Sequence, residues 1–346
     1  MSENNHKSTR TVGWKELSVA VLSVVLTLCA LEIALRVLEP PTTARYQSKE
    51  ILDTGEVVPT TIPGTEGILL GRKATINREG YRGPVRTRQK PAGIIRILVF
   101  GDSHTFGTGA GDGATYPDQL ESLLNRDGSG RFEVINFGVG GYDLRQSIRL
   151  ARAKAPVYRP DLVLITYHAG DISSSDIFVD GRGKSAIQAF GSPLMKLNHY
   201  LRSHFAVYQF ISPYLNAFMI RIGVTTAKGI HLKEYEEIAS NGPLWSSLTA
   251  DLLELRGQMA VQSTKLGVVL FPHMLNFNRH PAIDVHAAIG NWCARNGILY
   301  VDLLPYYKGH RPSALHASLL DNHANEKGYE IAAKGAYDLV RRMIGK

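Results

Sequence analysis

Between Ile94 and Ile344 the chain alternates apolar runs of strand length with stretches of helical spacing. This alternation restricts the fold more than any other feature. The runs are Ile94–Phe100, Phe132–Phe137, "PDLVLITYH" (160–168), "GVVLFPH" (267–273) and "ILYVDLL" (298–304). Strands this continuously apolar are buried on both faces. The intervening segments, Tyr116–Leu124, Leu144–Ala155, Leu244–Lys265, Ile283–Arg295 and Glu326–Ile344, read as helices. In the first of them Leu120, Leu123 and Leu124 share one face. Parallel strands need long crossovers, and helices supply them. The expected architecture is α/β, a central parallel sheet covered on both faces. A chain of 346 residues is long enough for such a core.

The N-terminus carries a compartment signal. Lys7, Arg10 and Lys15 precede "LSVAVLSVVLTLCAL" (Leu17–Leu31), which has no charge, and "IALRVL" continues to Leu38. The uncharged core is about 15 residues, and counting through Leu38 reaches the roughly 20 that span a bilayer. Glu32 and Arg36 lie four apart and share a helix face near the outer interface. The positive flank predicts a single-pass signal anchor with its N-terminus inside and the remaining chain extracytoplasmic, periplasmic or extracellular. A cleaved signal peptide is the alternative, but small-residue cleavage sites are poor here. The expected organisation is a cytoplasmic tail (1–16), a transmembrane anchor (17–38), a Pro-led linker and irregular lead-in (39–92), and a globular domain (93–346). Residues about 172–243 break the alternation and are rich in aromatics, among them Phe178, Phe190, Tyr200, Phe205, Tyr208, Phe210, Tyr214 and Phe218. Such an insertion reads as a cap over the site, a membrane-facing lobe or a structural addition.

Charge and cysteines narrow the function classes. The net charge is +8, yet Lys and Arg are scattered and no basic stripe is interleaved with aromatics. That argues against nucleic acid as a partner and leaves anionic membranes or acidic glycans. Cys29 and Cys293 are the only cysteines, and no metal-type Cys/His spacing occurs. Neither a cofactor nor a metal is expected.

Chemistry-bearing residues fall where such a sheet presents them. In open parallel sheets sites lie beyond the carboxyl ends of the strands. "RILVFGDSHTFG" (96–107) sets Ser103 directly after the first run. A serine hydroxyl needs a general base to act as a nucleophile. "LLDNHANEKGYEIAA" places Asp321 and His323 in the loop before the last helix, where Asp321 would orient the imidazole. The bland alternative is a polar loop with Asn325 as an N-cap. "VINFGVGGYD" ends the second run in a glycine cluster, and the backbone N–H of Gly141 could join that of Ser103 in holding a developing oxyanion.

"GDSHTFG", "NFGVGGY" and the terminal "DNH" loop together resemble the SGNH hydrolases, also called GDSL-type esterases and lipases. The similarity runs from about Arg96 to the C-terminus, apart from the insertion. With the anchor and "NREGYRG", the chain also looks like the anchored, exported SGNH-like proteins associated with bacterial cell-surface polysaccharides. The resemblance implies a three-layer flavodoxin-like fold. Ser103 would be nucleophile and first oxyanion donor, Gly141 the second donor, five residues after Asn136, and His323 the base. Asp102, His168 and Asp171 are auxiliary candidates.

Two positions depart from the family pattern. The third block, typically Gly-x-Asn-Asp, corresponds to "YHAGD" (167–171), with Gly170 at the Asn position. One missing oxyanion donor costs about 2.7–4 kcal/mol, and His168 or a serine of 173–175 could replace it. The usual Asp-x-x-His spacing puts Leu320 at the acid position, so Asp321 takes that role one residue closer, with Asp302 as runner-up. The resemblance implies a serine esterase or O-acyltransferase acting on an acyl ester, with the O-acyl groups of a cell-surface glycan as substrate. The competing reading is an inactive scaffold that binds glycan or serves in polysaccharide assembly.

Overall fold

The computed structural model describes residues 13–40, 42, 47–51, 57–126, 128, 130–168, 197, 200–201, 204–221 and 232–346. Its centre is a five-stranded parallel sheet of β5 (Ile94–Gly101), β6 (Arg131–Gly138), β7 (Leu162–His168), β8 (Lys265–Phe271) and β9 (Leu299–Asp302). The strand order is β6-β5-β7-β8-β9, with every pairing parallel. The chain steps from β5 to one side, crosses back over it to β7, and then proceeds outward. The carboxyl end of β5 is therefore the topological switch point, where open α/β sheets place their sites.

Strand alternation divides the core into two layers. Leu98 and Phe100 face a cluster built with α4 (Leu144–Tyr158), α7 (Pro243–Val261) and α8 (Ile283–Arg295). Ile97 and Val99 face a second cluster built with α3 (Tyr116–Arg126), the short α9 (Leu304–Tyr307) and the closing helix α10 (Glu326–Met343). The three-layer α/β fold expected from the periodicity is the one observed.

Two local expectations are corrected. The segment preceding β5 is more ordered than its Gly, Pro and Thr content suggests. It contains the antiparallel hairpins β1–β2 (Gln47–Ile51, Val57–Thr61) and β3–β4 (Glu66–Leu69, Arg72–Thr75). Leu70 and Gly71 both take positive φ between β3 and β4, the geometry a two-residue hairpin turn requires. The helix expected over Leu244–Lys265 ends at Val261, because Ser263 enters the left-handed region (φ 57°) and Thr264 N–H bonds back to Met259. Lys265 then opens β8 rather than closing the helix.

The N-terminal helix α1 (Trp14–Leu38) is long and apolar enough to cross a membrane, and almost all of it is exposed in the protein alone. Within the insertion, α5 (Ala206–Arg221) and α6 (Leu232–Ala239) are helical.

Candidate active site

β5 ends at Gly101, and the chain turns into α2 (Ser103–Phe106), a single helical turn. Asp102 starts it by accepting the N–H of His104 at 2.9 Å. Glycines let this turn lie flat against the sheet. A Cβ on Gly101 would come 2.8 Å from Thr166 Cβ, and one on Gly138 would come 2.2 Å from the backbone nitrogen of Phe106. The β6 partner of Gly101 is Gly138, so two facing glycines make room for the turn.

Ser103 is thereby half-buried at the switch point, and a residue 220 positions later meets it. Ser103 Oγ lies 2.8 Å from His323 Nε2. His323 Nδ1 lies 2.6 Å from Asp321 Oδ1, and the same oxygen accepts the His323 backbone N–H at 2.8 Å. The carboxylate accepts, so Nδ1 carries the proton and Nε2 presents its lone pair to the serine hydroxyl. The loop is fastened below: Asn325 caps α10 through Gly328 N–H, and its amide holds the carbonyls of Ala314 and His316. Asn325 is thus the N-cap that the loop reading anticipated, alongside the Asp321–His323 pair.

Electrostatics favour a basic imidazole. Burial works against the charged form of His323, but the hydrogen bond and charge of Asp321, with Asp102 behind, outweigh it and raise the pKa. Burial likewise pushes Asp321 up, and its bonds to His323 more than compensate, leaving it below the usual carboxylate value. Burial drives Asp102 to about 6, against the pull of the His104 N–H and of His323.

The remaining sequence-level candidates are placed as follows. Gly141 sits in the turn after β6 with φ 78°, exposed, and a Cβ there would meet open space. Asn136 is buried, and its side chain accepts Gly138 N–H at 2.9 Å, supporting the glycine turn. His168 ends β7, with Nδ1 4.0 Å from Asp102 Oδ2. Gly170, Asp171 and Ser173–Ser175 lie outside the described residues. Asp302 turns to His286 Nδ1 at 2.8 Å, while Asp321 is the carboxylate at His323.

Arg82, His104 and His273 escaped sequence reading, while His168 was already a candidate. Arg82, in the lead-in, is buried beneath the Ser103 turn and donates to the carbonyls of Phe106, Gly107 and Ala110 at 3.1, 2.8 and 2.6 Å. Imidazoles also line the site. The His104 ring lies 5.1 Å from His323 and 4.5 Å from His168, and His168 lies 4.2 Å from His273. The signal for His104 and His273 was available, since each, like His168, stands at or just after the carboxyl end of a sheet strand. Asp102, His104 and His168 bring one ligand atom each to within 4.8 Å of one another, a spread that offers a place for a metal ion. With metal–ligand bonds of about 2.1 Å these side chains would have to close slightly. Burial holds His104 neutral, helped by the charges of His323 and His273, the form in which imidazole ligates.

The GDSL-like Lipase/Acylhydrolase family matches residues 97–336. Among solved structures, the chain is similar to a psychrotrophic esterase from Pseudoalteromonas sp. (13% identity, covering 72% of this chain and 99% of that one, TM-score 0.41). It is similar to a family 3 carbohydrate esterase of Clostridium thermocellum (14%, 73% and 98%, 0.42). A variant of an acetyl xylan esterase from Geobacillus stearothermophilus gives 16%, 73% and 97%, with TM-score 0.43. No curated protein matches the chain.

Proposed function

Because the chain belongs to the GDSL-like lipase/acylhydrolase family, and so is a hydrolase of ester bonds, we propose that Ser103, His323 and Asp321 are its catalytic residues. The observation that carries this reading is the 2.8 Å contact of Ser103 Oγ with His323 Nε2, backed by the 2.6 Å contact of His323 Nδ1 with Asp321.

His323 Nε2 takes the hydroxyl proton as Ser103 Oγ attacks the acyl carbon. The carbonyl oxygen becomes an oxyanion, for which the backbone N–H groups of Ser103 and Gly141 are the proposed donors. Asp321 stabilises the imidazolium without taking its proton. The intermediate collapses, His323 returns the proton to the leaving alkoxide, and an acyl-Ser103 ester remains. Water, deprotonated by His323, attacks the ester, Ser103 Oγ leaves and takes that proton back from His323, and a carboxylic acid is released. A sugar hydroxyl in the place of water would give O-acyl transfer by the same steps. Asp102 caps the nucleophile turn and faces His323 with its charge, and His168 and Asp171 stay auxiliary candidates.

For the substrate we favour the O-acyl groups of a cell-surface glycan. The net charge of +8 suits acidic glycans, and the anchored, exported subgroup that the motifs resemble points the same way. The test is turnover of an activated acetyl ester. Ser103→Ala and His323→Ala should each remove about 10³-fold or more of kcat/KM, and the double variant should be little worse than either single. Thermal unfolding should show that each variant is folded at the assay temperature. Undiminished turnover in a folded Ser103→Ala protein would leave the motif as a turn and nothing more.

A further inference from the structure

We propose that α5 lies in the membrane interface against the outer end of α1, that together they seat the His323 loop on the bilayer surface, and that the glycan acyl ester reaching Ser103 is carried on a lipid-linked amphiphile resident in that bilayer. The proposal rests on the catalytic reading of Ser103 and His323 and adds where their substrate comes from.

The first observation is how two charged residues of α1 are used. Leu17 to Leu38 extends about 33 Å at 1.5 Å per residue, which matches a hydrocarbon core of about 30 Å. Glu32 therefore sits within the last two turns of the span, at its outer end. Ionisable groups at that depth face protein and are paired. Glu32 does both: it pairs with Arg36 at 2.6 Å, and its two oxygens accept the N–H groups of Ala206 and Val207 at 3.0 and 2.9 Å. These are the first backbone donors of α5, which helix geometry leaves without partners. Arg36 completes the joint by donating to the carbonyl of His204 at 2.6 Å. The polar pair that interrupts the apolar span is thus the dock for the insertion helix, and it fixes the start of α5 at the depth of Glu32.

The second observation is what α5 presents. Leu215 and Phe218 lie three apart on one face and are about half exposed, as are Leu197, Tyr200 and Phe205 just before the helix. Water is a poor environment for such a set. Interfacial aromatics and leucines beside a spanning helix have a ready occupant, the headgroup and upper acyl region of the same bilayer. Continuity with α1 is what selects lipid over a protein partner.

The third observation connects this platform to the chemistry. Gln209, one turn into α5, donates to the carbonyl of Leu320 at 3.0 Å, and Glu39, directly after α1, bonds Ser318 Oγ. Ser318 Oγ in turn accepts Asp321 N–H at 2.9 Å. The loop that carries Asp321 and His323 is thereby braced at one point on the anchor and at another on α5. Leu320 and His323 are three residues apart, at most about 11 Å of chain. A site held that close to the bilayer is reached by esters from the membrane surface.

The test uses the full chain reconstituted in vesicles of phosphatidylcholine and phosphatidylglycerol. In a Cys29→Ser background, with Cys293 buried, Phe218→Cys is labelled with an environment-sensitive fluorophore. Quenching by lipids spin-labelled near the headgroup is expected, and an unquenched probe overturns the seating. For activity, Leu215→Glu with Phe218→Glu is compared with the parent on p-nitrophenyl myristate dissolved in the bilayer and on p-nitrophenyl acetate in water. The ratio of myristate to acetate turnover should fall about tenfold, as expected when two large apolar groups lose their burial. An unchanged ratio overturns the proposal while leaving the catalytic reading intact. A parent chain inert on both esters overturns the catalytic reading, and the substrate inference with it.

Discussion

Asp321 stands one residue closer to His323 than the usual spacing, and the contact geometry explains how the short spacing works. Its Oδ1 accepts the backbone N–H of His323 and faces Nδ1 of the same residue, so a tight turn replaces the missing residue. Burial opposes charge on His323, but Asp321 prevails and the pKa rises above the ordinary value. Because a base must be neutral to accept the Ser103 proton, turnover should fall on the acid side at a pH above the usual histidine value near 6.5. Asp321→Asn removes the charge that raises the pKa. The acid limb of a kcat/KM profile should then move to lower pH, while kcat drops by up to about 10⁴-fold. A limb that stays in place would detach Asp321 from the imidazole. The linked stability runs the other way. A raised histidine stabilises the fold fully below about 6.5, its unfolded value, and loses that contribution as pH climbs through the folded one. The enzyme therefore gains activity over the interval in which this pair stops contributing to stability.

At the scale of elements, the lead-in is the part that composition misrepresents. "NREGYRGP" reads as turns, and Asn77 does organise one, accepting Glu79 N–H and donating to the Gly83 carbonyl. Its larger role is to deliver Arg82 beneath α2, where three carbonyls at the end of the Ser103 turn receive the guanidinium. A five-donor planar fork meets several acceptors at once, and an ammonium does not. Arg82→Lys should lower stability by about 2–4 kcal/mol, since buried carbonyls lose charge-assisted bonds. Thermal unfolding measures this, and turnover of the acetyl ester should fall further than the unfolded fraction accounts for, because the turn carrying Ser103 loosens. An unaltered melting temperature would mean that the guanidinium does not hold the turn.

For the whole molecule, the decisive variable is the side of the membrane. Lys7 and Arg10 precede α1 and Lys15 lies in its first turn, and the bias of such charges toward the cytoplasm predicts that everything after about residue 40 lies outside. Alkaline phosphatase fused after Lys346 should be active, and protease added to spheroplasts should degrade the globular domain while sparing the tail. A protected, inactive fusion would reverse the orientation. The direct bonds from Glu32, Arg36 and Glu39 to the insertion and to the His323 loop make anchor and domain one working unit. The Pro-led segment after Leu38 had suggested a simple tether.

Periodicity and local chemistry alone determined much of this protein. Continuous apolar runs dictate a sheet covered on both faces, and the basic flank with an apolar span predicts an anchor. A small turn after the first sheet strand marks Ser103, because these signals depend on residues adjacent in the chain. The tertiary structure alone decided what depends on distant residues. Asp321 rather than Asp302 meets His323, three strand ends bring His104, His168 and His273 together, and Arg82 lies beneath the Ser103 turn. Glu32 meets Ala206 across 174 positions, and no spacing rule reports such a contact. Side-chain partners of this kind are chosen by the packing of layers, in which burial penalises any charge or donor left without a partner.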